Sequence, residues 1–150
     1  MTVSCTEPTA SVAFTGAEKL PEDLARGFIE SFHLDILQGY GLTETTPATN
    51  INQPHPPVVV STNEPQVGNR AGSVGRMMPG MTARIVDPDT GEERALTDTG
   101  IVLFRGANVF EGYLDDPGAT NETLRRHAAG RVWLHTGDPG KMVANRVLYL

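Results

Sequence analysis

With a single cysteine, Cys5, the chain has no partner for an intrachain disulfide, and its four histidines are too scattered for a zinc-finger or HExxH spacing. A reducing, cytoplasmic setting fits. Basic side chains are outnumbered, 12 against 18 acidic, for a net charge of −6. No broad cationic surface is available to neutralise phosphates along a duplex, which argues against nucleic-acid binding. The longest aliphatic runs, Val58 to Val60 and Val147 to Leu150, fall far short of the ~20 apolar residues that span a bilayer. Met1 to Ser11 lack the basic start and apolar core of a signal peptide. Aromatics are only 6%, yet 39% of residues are apolar and 20% charged, enough in 150 residues for one ordinary globular domain.

Glycine (16) and proline (11) divide the chain into unlike halves. In the first, Pro21 opens a helix over about 21 to 33, in which Leu24, Phe28 and Phe32 recur every fourth residue. Leu34 to Leu37 reads as a short buried strand, apolar on both faces like a central strand of a parallel sheet, and ended by Gly39-Tyr40-Gly41. From Thr46 to Arg70, Pro54, Pro56, Pro57 and many polar residues predict a long irregular connection.

The second half reads as antiparallel β. Met81, Ala83 and Ile85 alternate with Thr82, Arg84 and Val86 before a turn at Asp87-Pro88-Asp89-Thr90-Gly91. Further strands are expected at Ile101 to Arg105, Val109 to Tyr113 and Val132 to Thr136. Asp116 and Pro117 read as the N-cap and first residue of a short helix ending before Gly130, and Lys141 to Ala144 with Val147 to Leu150 as a final hairpin.

Several constellations have plain readings. Gly68, Gly72 and Gly75 neither follow a strand nor open a helix, so they read as loop rather than phosphate cradle. Ser73 nearly matches a nucleophile elbow, but its flanks are wrong for one. His135 and Asp138, three apart on a strand, point to opposite faces and make no dyad. The informative segment is Gly39-Tyr40-Gly41-Leu42-Thr43-Glu44. Glycines flanking a tyrosine admit a flat ligand close to the backbone, and the ring offers a stacking face. A hydroxyl at Thr43 suits a phosphate oxygen, whereas the Glu44 carboxylate repels one unless a divalent cation lies between; nucleotide with Mg²⁺ satisfies both.

In combination, these blocks resemble the adenylate-forming acyl-CoA synthetase superfamily. In that family's order come Thr15-Gly16-Ala17-Glu18-Lys19-Leu20-Pro21, then Gly39-Tyr40-Gly41-Leu42-Thr43-Glu44, then Gly72-Ser73-Val74-Gly75-Arg76 and Pro79-Gly80-Met81. Gly106-Ala107-Asn108-Val109, Gly112-Tyr113-Leu114 and Trp133-Leu134-His135-Thr136-Gly137-Asp138 follow. Gly16-Ala17-Glu18-Lys19-Leu20, Asn50-Ile51-Asn52-Gln53-Pro54 and Gly100-Ile101-Val102 look most like bacterial long-chain acyl-ACP synthetases, often fused to a 2-acylglycerophosphoethanolamine acyltransferase.

The resemblance implies an α/β fragment plus β, part of the large N-terminal domain of an adenylate-forming enzyme. Residues 1–11 would be an unstructured start, 12–53 a partial α/β subdomain, 54–67 a Pro-rich connection, and 68–150 a distorted antiparallel β-barrel truncated before a C-terminal lysine domain. It further implies ATP/AMP and Mg²⁺ as cofactors, a fatty acid as substrate, and CoA or acyl carrier protein phosphopantetheine as thiol acceptor. By matching positions, Gly16, Ala17 and Glu18 would lie along the adenine and acyl pocket, with Gly39 and Gly41 beside it. Tyr40 would pack on adenine, Thr43 bind phosphate, Glu44 ligate Mg²⁺ and Asp138 hold the ribose hydroxyls. The family's upstream phosphate loop has no counterpart before Val12, and its adenylation lysine would fall beyond Leu150, so the chain reads as a segment inactive alone, with the remaining segments as partners and the inner face of the membrane as a place they could reach. Pro139 departs from the family's aliphatic residue and pushes Asp138 toward extended geometry, and Asn145-Arg146 replaces an Asp-Gly type turn. A non-catalytic nucleotide- or acyl-binding remnant is the alternative, and a serine hydrolase resting on Ser73 the remote one.

Overall fold

The computed structural model describes residues 12–56, 67–127, 130–143 and 146–150. The expected unstructured start and most of the Pro-rich connection lie outside the described residues.

After β1 (Ala13–Thr15), helix α1 (Glu22–Phe32) starts on Pro21 in extended geometry, with Glu22 and Asp23 in its first turn, where acidic side chains suit the helix dipole. It stops at His33, which is left-handed (φ 54°) and donates its N–H to Ile29 O. The Phe28 and Phe32 rings meet at a tilt, centroids 4.7 Å apart, but Leu24 and Phe32 remain exposed.

Strand β2 (Ile36–Tyr40) begins two residues later than expected and carries Gly39 and Tyr40 inside it rather than being broken by them. It pairs in parallel with β1, and antiparallel with β3 (Asn50–Ile51), which interrupts the expected irregular connection. Its neighbours therefore lie within this chain.

Next come β4 (Gly75–Met77), β5 (Thr82–Val86), β6 (Gly100–Arg105), α2 (Pro117–Thr123), β7 (Leu124–Arg126), β8 (Val132–Val143) and β9 (Val147–Tyr149). As expected, the Asp116 side chain caps α2, accepting from Ala119 N at 2.9 Å, and β8 and β9 form the closing hairpin. Arg146, at φ 60°, takes the left-handed position there. Val109 to Tyr113 is not a strand. Its neighbourhood is engaged elsewhere, since Phe110 N donates to Glu44 O and Asn108 to Thr45 O and Ala48 O.

The strands run β1-β2-β3-β4-β9-β8-β6-β5, with β7 on the side of β8. The expected barrel over 68–150 is not present: the sheet is mixed and open. Closure would need β4 to meet β5, but the second edge of β4 is taken by β3, Asn50 facing Met77 and Ile51 facing Arg76. The long strand β8 joins the two parts, its start pairing with β7, Leu134 to Gly140 with β6, and its end with β9.

Ile85, Val102, Phe104 and Leu148 are fully buried in one cluster, and Leu103 and Trp133 with Val86 in a second. At about 1.5–3 kcal/mol for each large buried side chain, this burial outweighs exposed ion pairs such as Arg26–Asp23. The core also fixes the site, because the Tyr40 ring packs against Phe104, centroids 6.2 Å apart.

No helix is long and apolar enough to cross a membrane among the described residues.

Candidate nucleotide site

Tyr40, the last residue of β2, donates its phenol to Asp138 Oδ2 at 2.5 Å. Burial, and then this carboxylate, hold the Tyr40 phenol far above the ordinary tyrosine range, so it stays a donor.

A bulge aims Asp138. Leu103 faces His135 and Phe104 faces Leu134, but Ile101 faces Pro139 and Gly100 faces Gly140, so Thr136, Gly137 and Asp138 together oppose Val102. Gly137 supplies the left-handed residue (φ 79°). Thr136 secures the irregularity, its hydroxyl donating to Val102 O at 2.9 Å and accepting from Asp138 N at 3.0 Å. Pro139, which lacks a donor, follows directly, and Asp138 still faces the cleft.

That cleft, about 380 Å³, is lined by Ala17, Glu18, Gly39, Tyr40, Gly41 and Asp138 among the expected residues, with Lys19, Gln38 and Gly72 beside them. Gly16 stands behind its wall, where an added Cβ would lie 3.3 Å from Gly39 O. The requirement at Gly41 is internal rather than for ligand access, since a Cβ there would sit 1.8 Å from Pro47 O.

Thr43 and Glu44 are outside the cleft lining, on the 3-10 turn Thr43–Thr45 that follows it. Thr43 is exposed and Glu44 half-buried. The turn is held by buried Thr45, whose hydroxyl accepts from Leu42 N at 2.8 Å and bonds Leu42 O at 2.9 Å. Glu44 Oε1 accepts the Tyr113 phenol at 2.5 Å. No hydrogen bond reaches Glu44 Oε2 or Asp138 Oδ1 among the described residues.

No group of three or more His, Cys, Asp or Glu able to hold a metal occurs among the described residues. A lone carboxylate with a free oxygen suits an ion completed by water and substrate phosphates, which is how Mg²⁺ is commonly held. A carboxylate oxygen open to the cleft likewise suits a vicinal diol.

The constellations set aside in the sequence stay apart. Ser73 is buried and donates to Arg70 O at 2.8 Å, with Asn52 Oδ1 at 3.3 Å. His135 lies against His127, Nε2 to Nε2 2.7 Å, away from Asp138. Burial, with Arg125 and His127 nearby, pushes the His135 imidazole down to about 4.

Sequence reasoning missed two supports. Asn52 is buried and ties β2 to the Ser73 loop, donating to Ser73 O at 2.7 Å and Gln38 O at 3.2 Å. A polar residue in a Pro-rich stretch gave no local sign of this. Tyr113, quoted as part of a block, had no assigned contact to Glu44.

Residues 6–114 match the family model described as AMP-binding enzyme. The chain belongs to that family. Similar proteins include a probable CoA ligase from Humulus lupulus, 35% identical over 83% of this chain and 20% of that protein. Apo MatB from Rhodopseudomonas palustris superposes with a TM-score of 0.72 at 31% identity, over 92% of this chain and 24% of that one. The anthranilate CoA ligase AuaEII, solved with anthranoyl-AMP, gives a TM-score of 0.72 at 25% identity, over 92% and 23%. This chain spans about 20% of the length of the curated relatives it matches. The adenylate-forming resemblance read from the ordered blocks is thus correct at the level of the family, and the large N-terminal domain is the part of those enzymes that the fold matches.

Proposed function

We propose that this chain is the nucleoside-holding part of an ATP-dependent acid–thiol ligase. The observation that carries the reading is the Tyr40–Asp138 pair on one cleft. In the reaction, a carboxylate oxygen of the acid attacks the α-phosphorus of ATP, pyrophosphate leaves, and an acyl-adenylate forms. A phosphopantetheine thiol then attacks the acyl carbon, losing its proton, and AMP departs. The relatives' printed names, CoA ligases, support this class.

Within this scheme Tyr40 presents its ring to adenine while its hydroxyl holds Asp138 Oδ2, which leaves Oδ1 for the ribose hydroxyls. Gly39 and Gly41 shape the wall, and Ala17 and Glu18 close the cleft from the β1 side, with Gly16 behind. Thr43 donates to a phosphate oxygen. Glu44 holds Mg²⁺, which supplies positive charge to the phosphates.

A fatty acid as the acid, acyl carrier protein as an alternative to CoA, and a cytoplasmic site of action complete the reading. Their support is the likeness of the Gly16-Ala17-Glu18-Lys19-Leu20 and Asn50-Ile51-Asn52-Gln53-Pro54 stretches to acyl-ACP synthetases. Calorimetry of the chain with AMP tests the core of the proposal: binding is expected, and loss of it in Tyr40→Ala and Asp138→Ala. Unchanged AMP affinity in both variants would overturn the assignment.

A further inference from the structure

Glu44 and Tyr113 lie 69 residues apart in sequence, yet the phenol donates to Glu44 Oε1 at 2.5 Å. A surface hydrogen bond between two freely rotating side chains would contribute little. Here both ends are fixed independently. On one side, Glu44 O accepts from Phe110 N at 2.9 Å, and the Asn108 amide donates to Thr45 O at 2.9 Å and Ala48 O at 2.6 Å. Thr46 returns a bond to Asn108 O at 2.8 Å. The loop after β6 is thereby fastened at four points, two on the Thr43–Thr45 turn and two on Thr46 and Ala48 just after it.

On the other side, Tyr113 is held from α2. Its N–H donates to the Thr120 hydroxyl at 2.9 Å, which itself donates to Asp116 O at 2.8 Å. Thr120 packs so tightly that a Cβ on Gly112 would lie 2.7 Å from its methyl group. The Tyr113 ring meets Phe110 edge-on at 4.9 Å. The hydroxyl therefore reaches Glu44 with little freedom left to lose, and it occupies one named oxygen.

We infer that Tyr113 is a positioning residue for Glu44: by occupying Oε1 it fixes the carboxylate's rotamer and leaves Oε2 as the oxygen presented to Mg²⁺. The inference rests on the proposed metal role of Glu44. Such outer partners orient a ligand and raise its effective affinity, and their loss commonly costs about tenfold in metal binding. The path runs from α2 through Thr120 and Tyr113 to Glu44, so the short helix after the Gly112-Tyr113-Leu114 block supports the metal side of the site.

The test measures binding of a fluorescent N-methylanthraniloyl ATP to the 150-residue chain, once with excess Mg²⁺ and once with EDTA. The ratio of the two dissociation constants reports the metal's contribution. In the unsubstituted chain Mg²⁺ should tighten binding. Tyr113→Phe, which keeps the ring and deletes one exposed oxygen, should cut that ratio about tenfold and leave the EDTA value unchanged. Glu44→Gln should abolish the ratio.

If Glu44→Gln lowers the ratio and Tyr113→Phe does not, the positioning role fails and the metal assignment stands. A Tyr113→Phe chain that weakens in EDTA as much as in Mg²⁺ shows a merely structural role and also overturns the inference. A tighter Mg²⁺ effect in Tyr113→Phe would make the phenol a competitor for the metal's oxygen, again against it. Absence of any Mg²⁺ effect in the unsubstituted chain, or of any effect of Glu44→Gln, overturns the metal assignment and this inference together.

Discussion

Tyr40 and Asp138, 98 residues apart, share one short hydrogen bond on the wall of the cleft, phenol to carboxylate. Burial, and then this bond, favour the neutral phenol in the folded state. Stability from Tyr40 is accordingly full below the ordinary phenol value of about 10 and is lost as pH rises through the raised folded value. Spectrophotometric titration at the tyrosinate band should show a phenol ionising well above the ordinary range, absent in Tyr40→Phe. A Tyr40→Phe titration identical in its late phase to the parent would contradict the pairing.

Gly41→Ala should be more damaging than Gly16→Ala. The first places a Cβ 1.8 Å from Pro47 O, backbone that must move, whereas the second meets Gly39 O at 3.3 Å. A loss of about 1–3 kcal/mol is expected for Gly41→Ala and clearly less for Gly16→Ala. Denaturant melts of the two variants check the order.

His135 makes the chain sensitive to acid. Its folded value of about 4 lies below the ordinary histidine range, so the unfolded chain binds the proton first and stability falls as pH drops from about 6.5 toward 4. With the ring half-buried and screened by solvent, the effect is on the order of 1 kcal/mol, a few degrees in Tm. Thermal melts of His135→Gln should show a shallower acid slope than the parent; an equal slope would refute the assignment.

Adenylation needs positive charge on the triphosphate as charge moves to pyrophosphate, commonly worth several kcal/mol. Lys19 is the one basic side chain on the cleft wall among the described residues, beside acidic Glu18 and Asp138. No fatty-acid-dependent ATP–pyrophosphate exchange is therefore expected from the 150-residue chain alone. Exchange above the buffer blank would show that the chain holds more of the machinery than proposed.

Helix α1, the Asp116 cap and the final hairpin were legible because their signals are local: a fourfold apolar repeat, an Asp-Pro start, two short apolar runs. The family was legible because its blocks occur in order. What escaped the sequence depends on distant partners. Asn50-Ile51 becomes a strand only because β2 and β4 flank it, and that pairing is what leaves the sheet open where a barrel was expected. Residues 109 to 113, expected as a strand, bond to Glu44 of the Thr43–Thr45 turn instead, through Phe110 N and the Tyr113 phenol. Gly41 looked like room for a ligand and is room for Pro47. The aim of Asp138 arises from a bulge that no local pattern announces.

The central claim is that Asp138, held by Tyr40, receives the ribose hydroxyls of an adenine nucleotide. Calorimetric titration of the chain with AMP and with 2′,3′-dideoxy-AMP tests it most directly. Hydrogen bonds to a charged group contribute about 1.5–3 kcal/mol, so the parent should prefer AMP by roughly tenfold or more, and Asp138→Ala should bind the two alike. Equal affinities in the parent, or a preference that survives in Asp138→Ala, would contradict the account.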